Sequence, residues 1–129
     1  MSVARVLGIA LVIAGLTGCE TLTGEIAGQG TGRVESGKMS WYSVKTNGGT
    51  ATASGEKFSD SAQTAAHRTL PFGTKVKVTN LENGKTAVVR ITDRGPFIKG
   101  RIIDVSIGVA RDLDFVGRGV VPCKIEVLR

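Results

Sequence analysis

Residues 75–92 read KVKVTNLENGKTAVVRIT. Lys75-Val76-Lys77-Val78-Thr79-Asn80-Leu81 alternates polar and apolar side chains, the period of a half-buried strand. Glu82-Asn83-Gly84-Lys85 predicts a hairpin turn with positive φ at both Asn83 and Gly84, and Thr86 to Thr92 returns as the partner strand. Downstream, Arg101–Val105 is a short strand. Ser106 then caps a short helix to about Leu113, with Ile107, Ala110 and Leu113 on one face. In Gly119–Leu128 the side chains of Val121, Cys123, Ile125 and Val127 point one way, and Lys124 and Glu126 the other. Pro122 places the start of that strand at a sheet edge. Upstream, Met39–Val44 is a first strand and Thr46–Gly55 a long loop with three glycines. Many short strands and a single helix predict a mainly β fold closed into a small barrel.

The ends carry a different message. Met1 to Arg5 is short and positive, and Val6–Leu16 is an uncharged apolar run of 11 residues. That is too short for a helix to cross ~30 Å of hydrocarbon, but it suits the apolar segment of a signal peptide. Leu16-Thr17-Gly18-Cys19 resembles the lipobox of bacterial lipoproteins, so residues 1–18 are expected to be removed and Cys19 to be lipidated. Glu20, where Asp would retain a lipoprotein at the inner membrane, points to the periplasmic face of the outer membrane. Residues 20–36, rich in Gly and Thr, read as a flexible tether. The expected division is signal peptide 1–18, lipidated Cys and tether 19–37, and one folded domain 38–129.

Removing residues 1–18 takes away only Arg5, leaving 16 basic against 11 acidic residues, a net +5. A basic surface favours a polyanionic neighbour such as anionic lipid or cell-wall polymer, and export argues against nucleic acid. With Cys19 acylated, Cys123 has no partner for a disulfide and packs as a small apolar residue.

Three polar residues sit at strand ends or loop junctions: Glu56, the single histidine His67, and Asp93 before Arg94-Gly95-Pro96. Each alone has a plain structural explanation. Together, two carboxylates and an imidazole at a barrel rim suit glycoside cleavage. They make a poor metal-ligand set, so no metal or cofactor is expected. Asp104, just before the helix, reads as a carboxylate bonding backbone amides near the helix start.

Ser40-Trp41-Tyr42, Thr52–Phe58, Thr64–Thr74, Val78-Thr79-Asn80, Asp93–Phe97 and Gly100–Ser106 stand in an order and composition that closely resemble the rare lipoprotein A family, over about residues 38–128. The resemblance implies a six-stranded double-psi β-barrel with one or two short helices. It implies an endolytic peptidoglycan lytic transglycosylase, acting on glycan strands that have lost their stem peptides. The family's active-site residues fall on Glu56, His67 and Asp93, with Asp93 expected as the acid/base. Trp41, Tyr42, Phe58 and Arg94 are candidates for substrate contact. The partners implied are peptidoglycan strands and, through Cys19, a membrane; the chain is expected to be a monomer.

Many family members carry a C-terminal SPOR domain that binds denuded glycan, whereas this sequence stops at Arg129 after the last strand. An expansin-like glycan-binding protein that does not cleave, or a structural envelope lipoprotein, therefore stay open beside the enzyme. Clustering of Glu56, His67 and Asp93 in one cleft would favour the enzyme; different orientations would favour binding.

Overall fold

The computed structural model describes residues 30–128; the expected signal peptide, Cys19 and residues 20–29 lie outside them. Residues 75–92 form the expected pair of strands. Val76, Val78, Val89 and Ile91 are buried while Lys75, Lys77 and Val88 are exposed. In chain order the elements are β1 (Gly30–Tyr42), α1 (Val44–Asn47), β2 (Thr64–Ala66), β3 (Lys75–Asn80), β4 (Thr86–Asp93), β5 (Arg101–Ser106), α2 (Ile107–Asp112) and β6 (Val120–Leu128). They close in the order β1-β5-β2-β4-β3-β6. β1 runs parallel to β5 and β2 parallel to β4; the other neighbours are antiparallel. This is the six-stranded double-psi β-barrel.

Alternation along each strand fills the barrel with Met39, Ala65, Val76, Val78, Val89, Ile91, Ile103, Val105, Val121, Cys123 and Ile125. Each buried Val or Ile contributes roughly 1.5–3 kcal/mol relative to exposure. Burial also pushes the Cys123 thiol up to about 12, so it stays a neutral packing group. α2 closes one end. The Ser106 side chain accepts from Val109 N–H at its N-terminus, as the sequence predicts, and Val109, Ala110, Leu113 and Phe115 are buried beneath it.

Several local expectations change. β1 starts at Gly30, inside the stretch read as tether, because Val34–Ser36 pair with Lys124–Glu126 of β6. No apolar periodicity announced this, since Arg33, Val34 and Ser36 remain exposed. After β1 the chain does not extend through Val44 but makes the one-turn helix α1, capped by Ser43 and stopped by left-handed Gly48. In the β3–β4 hairpin only Gly84 has positive φ. Asn83 instead donates its side-chain N–H to the Leu113 carbonyl and accepts from Lys85 N–H. Closure leaves no sheet edge for Pro122. Its carbonyl accepts from Leu81, just past the end of β3, so its missing N–H faces a place where the ladder has already stopped.

The loop between α1 and β2 is strapped to the barrel rather than free. Asp60 accepts from Val44 N–H through its side chain and from Gly108 N–H through its carbonyl. A Cβ on Gly108 would stand 2.6 Å from that carbonyl oxygen. Gly108→Ala is therefore expected to lower stability by about 1–3 kcal/mol in denaturant unfolding, because backbone must move to admit it.

Candidate active site

Four adjacent strands, β1-β5-β2-β4, present one polar row on the outside of the barrel. Pairing aligns Ser40 with Asp104, Asp104 with Ala66, and Ala66 with Asp93. Two strand spacings separate Asp104 from Asp93, about 10 Å between their backbones. Ala66 lies between them and, having only a methyl group, leaves a hollow. Tyr42, Thr46, Asn47, Ala66, Asp93, Arg94 and Asp104 line this cavity of about 240 Å³.

Asp93 reaches the row through an irregularity. Ala65 pairs with Ile91, but Ala66 pairs with Asp93, so one residue of β4 is skipped. Simple alternation from buried Ile91 would aim Asp93 into the barrel; the bulge turns it outward onto Ala66's face. There its Oδ1 accepts from the backbone N–H of Ala53 and of Arg94, both at 2.9 Å.

Asp104 does not bond the amides of the helix start; Ser106 does that. It points into the cavity and accepts a hydrogen bond from the Ser40 hydroxyl. Burial raises its carboxyl above the ordinary 3.8 and Asp93 adds to the rise, against the opposing Ser40 bond and Arg101. The Tyr42 hydroxyl is covered and lacks a hydrogen bond of good geometry. Burial, then the charges of Asp93 and Asp104, push its ionisation far upward, so it stays a neutral phenol.

The three residues singled out in the sequence do not gather in this cavity. Of Glu56, His67 and Asp93, only Asp93 lines it. Glu56 is exposed and forms a bidentate pair with Arg90 at 2.6 and 2.8 Å, which holds its carboxyl below the usual range. His67 is buried. Its Nδ1 accepts from Thr69 and Leu70 N–H, so Nε2 carries the proton and donates to Glu35 at 3.1 Å. Burial tends to raise Glu35, but His67 and Arg33 together hold it below its ordinary value. The backbone of His67 still serves the site: its N–H donates to the Asp93 carbonyl, and its carbonyl accepts from Arg94 Nη1.

Among the candidate contact residues, Tyr42 and Arg94 line the cavity. Phe58 is buried and stacks on Tyr42 at 4.4 Å, tying the long loop to the cleft wall. Trp41 faces the other way and donates its indole N–H to the Val116 carbonyl. No group of three metal-ligating side chains occurs among the described residues. Asp104, read from the sequence as a partner of the helix-start amides, is the cavity residue that this reading missed. Its signal was present: Ile103 and Val105 alternate with it, which puts Asp104 on the face away from the core.

A family model described as lytic transglycolase matches residues 34–125. A probable endolytic peptidoglycan transglycosylase RlpA from Nostoc sp. is 61% identical over 80 residues, covering 62% of this chain and 22% of that protein. The endolytic peptidoglycan transglycosylase RlpA of Vibrio cholerae is 50% identical over 97 residues, 75% of this chain and 36% of its own length. The chain thus spans well under half the length of these two relatives. Among solved structures, the Streptomyces papain inhibitor superposes with a TM-score of 0.61 at 28% identity, over 76% of this chain and 96% of that one. A Clavibacter michiganensis expansin in complex with cellohexaose superposes at 0.59 with 18% identity, over 75% and 51%, a likeness of fold.

The raised Asp104 has a thermodynamic consequence. Its folded value lies above the unfolded one, so the native state binds more protons between the two values and stability falls as pH rises through that window. Asp104→Asn is expected to be at least as stable as the parent at pH 7, with an advantage that shrinks as pH falls through the folded value and is gone below about pH 4. Thermal unfolding across pH checks this.

Proposed function

This chain belongs to the lytic transglycolase family, and from that premise we propose that it is an endolytic peptidoglycan lytic transglycosylase. Its substrate is a glycan strand freed of stem peptides, cut between N-acetylmuramic acid and N-acetylglucosamine to leave a 1,6-anhydromuramyl end. The observation that supports this is the pair of carboxylates, Asp93 and Asp104, facing one cavity across Ala66.

In this reading Asp104 is the acid/base, taking the proton-holding role that the sequence suggested for Asp93. Burial favours its protonated form, and the proton passes to the glycosidic oxygen as the C1–O bond breaks. The resulting Asp104 carboxylate takes the proton from the C6 hydroxyl as that oxygen closes on C1. Protons balance, and no water is added. Asp93, steadied by two backbone N–H groups, faces the positive charge that develops at C1. Tyr42 forms part of the cavity wall as a neutral phenol. Glu56 and His67 are positioning residues. Glu56 pins the loop that carries Ala53, and His67 fixes the turn that receives Arg94.

That Glu56 and His67 are engaged outside the cavity favours one second reading, a protein that binds glycan without cutting it. Digestion of amidase-treated peptidoglycan, read by mass spectrometry, separates the two. The enzyme yields anhydromuramyl ends at a rate that falls as pH rises through the Asp104 value. Asp93→Asn and Asp104→Asn each lose about 100-fold or more, and Glu56→Gln loses less than either. Binding without anhydro ends selects the second reading.

We further propose that Cys19 carries lipid and holds a monomeric barrel on the periplasmic face of the outer membrane, within reach of the wall. Cys19→Ala is expected to keep its activity in vitro and to move from the membrane to the soluble fraction of cell extracts.

A further inference from the structure

We propose that Arg94, with Phe97 beside it, forms a subsite that recognises the free lactyl carboxylate of muramic acid and so selects strands without stem peptides; this rests on the glycan-cleaving reading above. Arg94 lines the cavity, and its guanidinium is fixed by neutral groups. Nη1 donates to the carbonyls of His67 at 3.1 Å and Leu70 at 2.9 Å, and the group lies 4.0 Å over the Phe72 ring. Those partners satisfy hydrogen bonds but neutralise no charge. Among the described residues Arg33, Arg90 and Arg118 pair with carboxylates; Arg68, Arg94, Arg101 and Arg111 do not, and of these four only Arg94 lines the cavity. Asp93 Oδ1 is occupied by backbone amides and Asp104 by Ser40, so neither is drawn to it. A positioned, half-buried guanidinium without a counter-charge is a receptor for a planar anion.

Muramic acid supplies such an anion. Its lactyl ether ends in a carboxyl group that is charged when free and becomes a neutral amide when a stem peptide is attached. An Arg94 subsite therefore reads the presence of the peptide as the loss of a charge, beyond any steric effect. The adjoining turn adds apolar surface. Gly95 and Pro96 are buried, Gly95 has φ +118, and the Phe97 ring lies 3.5 Å from where a Gly95 Cβ would stand. The ring itself is 77% exposed, followed by exposed Ile98. Phe97 and Ile98 follow the cavity-lining Arg94 by three and four residues, and exposed apolar groups so placed extend the surface a ligand meets. Here they suit the C–H face of the sugar whose carboxylate meets Arg94.

The test measures equilibrium binding to the Asp104→Asn protein of three tetrasaccharides: alternating GlcNAc–MurNAc with free lactyl acids, the same with lactyl amides, and a GlcNAc tetramer. The acid is expected to bind about tenfold tighter than the amide, with the ratio shrinking as salt rises. Arg94→Gln should bring that ratio close to one. Phe97→Ser should weaken all three several-fold and leave the ratio unchanged. Equal binding of acid and amide, with the native Arg94 present, overturns the proposal even if the Arg94 variant fails to fold. So does a preference that survives in Arg94→Gln. Phe97→Ser that leaves sugar binding intact but lowers sedimentation with anionic vesicles overturns the part assigned to Phe97. If the chain binds all three alike, the subsite alone falls; if it binds none, the glycan reading falls with it.

Discussion

Closure of the barrel is the constraint from which the rest follows. β1 pairs with β5 on one side and β6 on the other, so the sheet has no free edge and every strand has a fixed neighbour. A small barrel has room inside only for side chains, and here those are apolar. Chemistry must therefore sit on the outer face or at the rim. The polar row Ser40–Asp104–Ala66–Asp93 lies on that outer face because inward positions are taken by Met39, Ala65, Ile91, Ile103 and Val105.

A second layer of organisation surrounds the row. The α1–β2 loop is anchored by Asp60 to α1 and α2, by the Phe58–Tyr42 stack and by the Glu56–Arg90 pair. Its product is one backbone amide, Ala53 N–H, delivered to Asp93. On the other side the Glu35–His67 contact and the two amides on His67 Nδ1 hold the 67–70 turn, which in turn holds Arg94. Exposed ion pairs contribute little to stability, but they direct loops that the core does not reach. This gives Glu56 and His67 a physical part in shaping a cavity that neither of them lines.

The lining of the cavity holds charges of both signs. Two carboxylates and a buried phenol belong to it, with Asp104 and Tyr42 shifted toward their neutral forms. Arg94, whose charge is not paired, also lines the cavity, with its guanidinium over the Phe72 ring.

Much of the architecture was legible in residues 75–92 and 101–128, because period-2 alternation is a local property and burial follows it directly. Asp93 was visible for a similar reason, standing where a strand meets Gly95-Pro96. Val34–Ser36 were not legible as strand, since their pairing with β6 is long-range and leaves Arg33, Val34 and Ser36 in solvent. Nor was the direction of Asp93, which depends on a bulge against β2, a strand of three residues without a pattern of its own. The sequence alone determined which residues alternate, which caps and turns are available, and which side chains carry chemistry. Only the tertiary structure decided that Asp104 rather than Glu56 or His67 faces Asp93, because strand register and loop anchoring arise between segments distant in the chain.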